Sequence, residues 1–320
     1  MPQFTRRLTR SLAAVALLVG STMLGACTTN AATGRTQLNL LSRSEEIQIG
    51  QEAAPELIAA YGGRVPSDQL QSYVTDIGMK LAAQTEGENP SLPWSFIFLN
   101  SDVINAFALP GGQVFITRGL VERMDNEAQL AGVLGHEIAH VTARHANNRL
   151  VRQAGLSLAA AIGGVVIGSD EDLQLLVNGL VTGAGVYALT FDRGQESESD
   201  QLGMRYMAQA GYNPSAQLEV MRILKNASSG PRQPEWLSTH PLPETRIEQI
   251  QELLSEEFRA AASNPANQLY RDRFQNIMLQ GLNALPPAPE MTLRDAQFIE
   301  QWIAEHTDCE CHDHEPVSAK

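Results

Sequence analysis

Leu70, Val74, Ile77 and Leu81 recur at the spacing that lines up apolar side chains on one helix face, which predicts an amphipathic helix after a stop at Gly62-Gly63. Upstream, Ser42 and Glu45 form a capping-box pattern that opens a helix toward Ala60. Between Trp94 and Gly119 the texture changes. Three short β-prone runs, Trp94 to Leu99, Val103 to Leu109 and Val114 to Thr117, are separated by Asn100-Ser101-Asp102 and Pro110-Gly111-Gly112, and they predict a small antiparallel meander.

Helical patterning returns with a second capping pattern, Asn126 and Gln129, which predicts a long helix to about Leu150. Asn213-Pro214 supplies an N-cap and an N1 proline for a helix to about Asn226, and a charged helix follows from about Pro243 to Ala262. Two further helical patterns, the second starting at Thr292, precede a polar tail. The run Leu173 to Phe191 has 19 residues without a charge, long enough to raise the question of a membrane span. Gln174, Asn178, Gly179, Thr182, Gly183 and Gly185 argue against a span, and with Gly155 to Gly168 the run reads instead as a helical hairpin or lid beside an active site. The expected class is α+β, predominantly helical, and the absence of a 20- to 50-residue repeat excludes a solenoid.

The two ends of the chain differ from this body. Arg6, Arg7 and Arg10 precede an apolar run from Ser11 to Ala26, the form of a secretory signal. Leu24-Gly25-Ala26-Cys27 resembles a bacterial lipobox, so residues 1–26 read as a signal peptide and Cys27 as the site of lipidation, with ordinary cleavage near Ala26 as the alternative. Thr28 and Thr29 lack the Asp that retains such lipoproteins in the inner membrane, which favours the periplasmic side of the outer membrane. Residues 27–41 then read as a lipidated tether, 42–262 as the main domain and 263–320 as a helical extension with an acidic tail. A chain of 320 residues, 43% hydrophobic, can bury one substantial core. Its net charge of −13 becomes −16 once the three signal arginines are removed, which excludes nucleic acid as a partner. The three cysteines, Cys27, Cys309 and Cys311, lie at the ends, so no disulfide holds the core.

The candidate chemistry is His136-Glu137-Ile138-Ala139-His140, an HExxH motif on a segment predicted helical on independent grounds. Residues four apart are rotated by only about 40°, so both imidazoles face one side with a spacing suited to one Zn²⁺. Glu137 is placed to take a proton from zinc-activated water and return it to the leaving amine. His145, nine residues from His136, lies about 180° around the helix, so it faces away and reads as structural rather than as a third ligand. A catalytic zinc needs a further protein ligand. The candidates lie in the acidic cluster Asp192 to Asp200.

With that cluster in view, the sequence resembles the CAAX prenyl protease type I family of gluzincins from about Leu41 to Ile250. The matching segments include Asn105 to Gly112, His136 to His145, Arg193 to Asp200 and Gly211 to Pro214. The resemblance implies a gluzincin-type metalloprotease domain. Where the family reads E-x-E-A-D, this chain reads Glu196-Ser197-Glu198-Ser199-Asp200, so Glu196 is implied as third ligand and Asp200 as its supporting carboxylate, with Ser199 in place of Ala. Glu196 and Asp200 share a helix face, and Glu198 reads as solvated. The resemblance also assigns His240, in Ser238-Thr239-His240-Pro241, to the open position of the zinc or to transition-state binding, and Arg246 to the substrate site. Asn105, Ala106, Phe107 and Ala108 would border the cleft and pair with an extended peptide.

The activity implied is zinc-dependent endoproteolysis of unfolded or misassembled envelope proteins, in protein quality control. A zinc-bearing chaperone with cleavage suppressed by His240 is the rival, and a metal-buffering lipoprotein is a third reading. The third reading rests on the tail, where His306, Cys309, Cys311, His312 and His314 make a candidate second metal site.

Overall fold

The structure, a computed structural model, describes residues 27–162, 190–229, 234–240, 243–290 and 301. The signal segment, most of the hairpin or lid expected over 155–168 and 173–191, of which only 155–162 and 190–191 are described, the helix expected from Thr292 apart from Gln301, and the Cys/His tail lie outside the described residues.

The described residues open with a two-stranded hairpin, β1 (Cys27–Thr29) and β2 (Thr36–Leu38), followed by α1 (Arg43–Ala60) and α2 (Asp68–Ala82). The capping box at Ser42 and Glu45 is formed in both directions, and α1 ends at Gly62 and Gly63, which take φ values of 76° and 83°. The sheet follows: β3 (Ser95–Leu99), β4 (Ala106–Leu109) and β5 (Gln113–Thr117). Then come α3 (Arg118–Val121), α4 (Glu127–Thr142), α5 (His145–Ile162), α6 (Arg193–Gln209), α7 (Ala216–Ser228), the short α8 (Trp236–Thr239) and α9 (Pro243–Ser255). The helix expected from Asn213-Pro214 starts later, because Asn213 uses its side chain to accept from Ser215 N in a local turn. The charged helix expected to Ala262 ends at Ser255, and α10 (Arg259–Ser263) follows it.

The strands do not form an antiparallel meander. Their order is β3-β5-β4, with β4 antiparallel to β5 but β3 parallel to it. Only the Pro110-Gly111-Gly112 connection is a hairpin, its two glycines at φ 80° and 103°. The link from Leu99 to Ala106 carries the chain past one strand position, and β5 fills the gap.

Burial follows the strand period of two. Phe96, Phe98, Val114 and Ile116 join the main core, with Leu70, Val74, Ile77 and Leu81 of α2 and Leu130, Leu134 and Ile138 of α4. Ile97, Leu99, Phe107, Leu109 and Phe115 join a second cluster with Ala53, Ala54 and Leu57 of α1. The sheet is therefore a middle layer, with α1 on one face and α2 and α4 on the other.

All sixteen residues of α4 are buried. Such a helix is held by its surroundings, at about 1.5–3 kcal/mol for each large apolar side chain, and its chemistry-bearing residues are fixed with it. Its longest contact is with α6, and Gly135 and Gly203 let the two backbones touch. A Cβ on Gly203 would lie 2.9 Å from His136 N.

Two further segments pack on this body. Phe274, Met278 and Leu282, in the helical stretch Arg271–Asn283, belong to the main core. The residues after Cys27, read from sequence as a tether, dock at the end of α4: Asn30 Nδ2 donates to Thr142 O at 2.9 Å, and Asn147 Oδ1 accepts from Leu40 N and Leu41 N. Among the described residues no helix is long and apolar enough to cross a membrane.

Candidate metal centre and active site

The HExxH helix does not run to Leu150. It ends at Thr142, and Arg144 takes a left-handed conformation, φ 56°, that turns the chain into α5. That conformation costs a non-glycine residue roughly 1–2 kcal/mol. Here it is held by Arg144 Nε donating to Glu46 Oε1 at 2.9 Å and Nη2 donating to Leu41 O at 2.5 Å.

His136 and His140, one turn apart on α4, bring their Nε2 atoms to 3.1 Å of each other. On α6, started by a capping box at Asp192 and Gln195, Glu196 faces them, with Oε1 3.4 Å from His140 Nε2 and Oε2 3.5 Å from His136 Nε2. His240, which ends α8, adds its Nδ1 at 2.9 Å from Glu196 Oε1 and 3.4 Å from His136 Nε2. The ligand atoms of these four buried residues all lie within 4.8 Å of one another.

The residues fit a zinc ion on three grounds. Bonds of 2.0–2.2 Å at tetrahedral angles require donor separations of about 3.3 Å, close to the 3.1 to 3.5 Å found here. The donors are imidazole nitrogens and a carboxylate, a set suited to zinc. Charge agrees as well. Among the described residues three buried carboxyl side chains, Glu137, Glu196 and Asp200, are gathered around one buried guanidinium, Arg246, a surplus of acidic groups that a divalent cation would balance.

Asp200 and Arg246 stand behind the donors. Asp200 Oδ1 lies 3.0 Å from His136 Nδ1, so it accepts from that nitrogen and turns Nε2 toward the cluster. Burial alone would raise its pKa, but the Arg246 guanidinium outweighs burial and holds it at about 2. Arg246 also donates to Glu196 Oε2 at 2.6 Å and sits over the Trp236 ring. Arg246, expected at the substrate site, is thus bonded to both carboxylates of α6 that face the histidines. Burial likewise opposes the charge of Glu196, and His240 and Arg246 hold its pKa well below the usual carboxylate range.

Glu137 is fully buried. Its Oε1 lies 3.4 Å from Trp236 Nε1 and 3.7 Å from His240 Nε2, while Oε2 has no hydrogen-bond partner among the described residues. A buried oxygen without a partner is expensive to keep, and this carboxylate lies beside the four-residue cluster.

Several participants escape sequence reasoning. Trp236 stacks on His240 at 4.5 Å between centroids, Phe191 lies 3.9 Å from the His140 ring, and Gln217 Nε2 donates to Asp200 Oδ1 at 2.8 Å. Only Trp236 left a trace, being four residues before His240. Glu198 is not simply solvated: it accepts from His145 Nε2 at 3.0 Å and from Arg35. Of the cleft-border residues, Asn105 donates its amide to Tyr61 at 2.9 Å, and the Phe107 ring packs on Tyr61 and Phe115. Their side chains serve the core. Ala108 and Leu109 line a cleft with His140, Val141 and Phe191, and β4 is the outer strand of the sheet.

With this geometry established, comparison with known proteins places it. The model of Peptidase family M48 matches residues 68–254, which include the whole cluster. The Beta-barrel assembly-enhancing protease of Escherichia coli (strain K12) is 31% identical over 242 residues, 74% of this chain and 47% of that protein. Its namesake in Yersinia pestis is 33% identical over 184 residues, 56% of this chain and 37% of that protein. The mitochondrial metalloendopeptidase OMA1 of Danio rerio is 31% identical over 250 residues, 73% of this chain and 52% of that protein. The chain thus spans about half the length of these three relatives, or less.

Proposed function

Because the chain belongs to Peptidase family M48, we propose that it is a zinc-dependent metalloendopeptidase that cleaves unfolded or misassembled envelope proteins in quality control. In this reading it is held at the periplasmic face of the outer membrane by lipid on Cys27. The observation that carries the catalytic part is the pairing of a zinc-sized donor set, His136, His140 and Glu196, with an unpartnered buried oxygen on Glu137. The envelope substrate is suggested by relatives named for enhancing β-barrel assembly. Location is suggested by the signal and lipobox pattern.

Bound zinc supplies a Lewis acid that makes water acidic enough to be deprotonated near neutral pH. Glu137 takes that proton on Oε2 and later delivers it to the leaving amine, while Trp236 Nε1 steadies Oε1. Asp200 holds the His136 tautomer, and Arg246 neutralises the second carboxylate of the pair it joins. Asn105, just before β4, borders the cleft with its own main chain bonded to Thr117, and the outer edge of β4, along Ala106 to Ala108, receives an extended substrate through main-chain hydrogen bonds. This binds peptides without strict side-chain selection.

One observation favours a second reading. His240 Nδ1 stands at 2.9 Å from Glu196, in the place where a fourth donor would close the coordination shell. A zinc-bearing chaperone with suppressed cleavage would look the same. Casein degradation by zinc-loaded and chelated parent and by His240→Ala separates them: zinc-dependent cleavage by the parent supports the peptidase, and cleavage only in His240→Ala supports suppression. Fractionation of Cys27→Ala tests the anchor, which predicts release into the soluble periplasm. The tail residues His306, Cys309, Cys311, His312 and His314 are proposed as a second metal site, tested by zinc stoichiometry after deletion beyond Ala304.

A further inference from the structure

The reversal at Arg144 sets His145 at the start of α5 with its ring against His140, the centroids 4.9 Å apart and the planes at 75°. His145 is buried, and both of its nitrogens are engaged: Nδ1 lies 3.0 Å from His140 Nδ1, and Nε2 lies 3.0 Å from Glu198 Oε2. A carboxylate can only accept, so His145 Nε2 carries a hydrogen. In a neutral imidazole, the form burial favours, Nδ1 is then bare. The 3.0 Å contact between the two Nδ1 atoms therefore needs its hydrogen on His140. That assignment leaves His140 Nε2 as a lone pair, facing His136 Nε2 and Glu196 Oε1.

We propose that His145 and Glu198 are positioning residues for His140, a two-link relay that fixes the tautomer and ring orientation with which His140 meets the metal. The inference rests on the zinc reading above. It extends to His140 the support that Asp200 gives His136, with an imidazole inserted before the carboxylate. Ser199 Oγ, 3.3 Å from His145 Nδ1, shares the same acceptor. Glu198 is itself bonded to Arg35, so the segment after Cys27 reaches the ligand set through three side chains. The two links differ in weight. Arg35 is 62% exposed and its ion pair is worth little, whereas the His145 contacts are shielded from water.

The test is zinc affinity of the purified protein, measured by competition with a chromophoric chelator, together with the visible spectrum of the cobalt-loaded form. Neither readout depends on turnover. His145→Leu is expected to lose about 10- to 100-fold in zinc affinity and to alter the cobalt spectrum. His145→Gln, whose amide oxygen can still accept from His140 Nδ1–H, is expected to recover most of the loss. Glu198→Ala should weaken zinc binding in the same direction, Glu198→Gln should stay nearer the parent, and Arg35→Ala should match it.

Affinities are taken per folded molecule, from unfolding curves of the metal-free variants, so that a merely structural role leaves them unchanged. Should His145→Leu fail to fold, Glu198→Ala against Glu198→Gln carries the test. Parental zinc affinity in His145→Leu, or in Glu198→Ala, overturns the relay and leaves the metal site intact. A parent that binds no zinc overturns both.

Discussion

Arg246 meets Asp200 with two donors, Nε to Oδ2 at 2.7 Å and Nη2 to Oδ1 at 2.6 Å, and both side chains are buried. The fork geometry is specific to a guanidinium. Arg246→Met would take the guanidinium away from the buried carboxylates of Asp200 and Glu196, and breaking a buried ion pair from one side costs about 3–5 kcal/mol. Denaturant unfolding of the metal-free variant should show that loss, and Arg246→Lys should restore only part of it. An unchanged midpoint in Arg246→Met would contradict the arrangement.

Glu196 and Asp200 share a face of α6 but do different work, one beside both Nε2 atoms and the other on His136 Nδ1. Glu196→Ala should fail to retain zinc through gel filtration. Asp200→Ala should retain it with about 10- to 100-fold weaker affinity. Equal loss in the two variants would show that the division between ligand and support is wrong.

Zinc binding should release protons in a way set by His136. Burial and Arg246 both oppose its charge, yet hydrogen bonds to Asp200 and Glu196 outweigh them and raise its pKa to about 9 in the metal-free protein. His140, for which burial dominates, is pushed well below its ordinary value and stays neutral. The sign follows. The raised His136 pKa stabilises the metal-free fold fully below its unfolded value of 6.5, and that contribution is lost as pH rises through about 9. Zinc must displace this proton, so affinity falls as pH drops below about 9. Adding zinc at pH 7.5 in weak buffer should release roughly one proton per ion from this histidine, and no release would contradict the assignment.

Gly203→Ala should disturb the site without touching a polar group. Its Cβ would fall 2.9 Å from His136 N and 3.0 Å from Gly135 C, both backbone atoms that cannot rotate away. The helices must separate, at a cost of about 1–3 kcal/mol, and Glu196 moves with α6. Lower thermal stability and lower zinc affinity together are expected. A change in neither would mean that the α4–α6 approach has slack.

The HExxH histidines are legible because they lie one turn apart on a single helix, where spacing sets a shared face, whereas spacing leaves the acidic cluster Asp192 to Asp200 open and only the resemblance singles out Glu196 and Asp200. His240 was reached only through resemblance, since a lone histidine in a loop has no periodicity. Two features were beyond local reading. The parallel pairing of β3 and β5 depends on where the Asn100 to Asn105 connection crosses, which strand patterns do not encode. The break after Thr142 depends on Arg144 finding Glu46, 98 residues away, while Ala143, Arg144 and His145 all suit a helix. That break overturned the geometric reason for setting His145 aside, and with it the expectation that Glu198 is merely solvated.

The central claim is that Glu137 is the base of a zinc peptidase whose metal is held by other residues. Glu137→Gln tests it most directly, with zinc content and casein hydrolysis measured on the same zinc-loaded preparation. The account predicts parental zinc stoichiometry with hydrolysis reduced by about 10²- to 10⁴-fold. Hydrolysis at the parental rate by the zinc-loaded variant would contradict it.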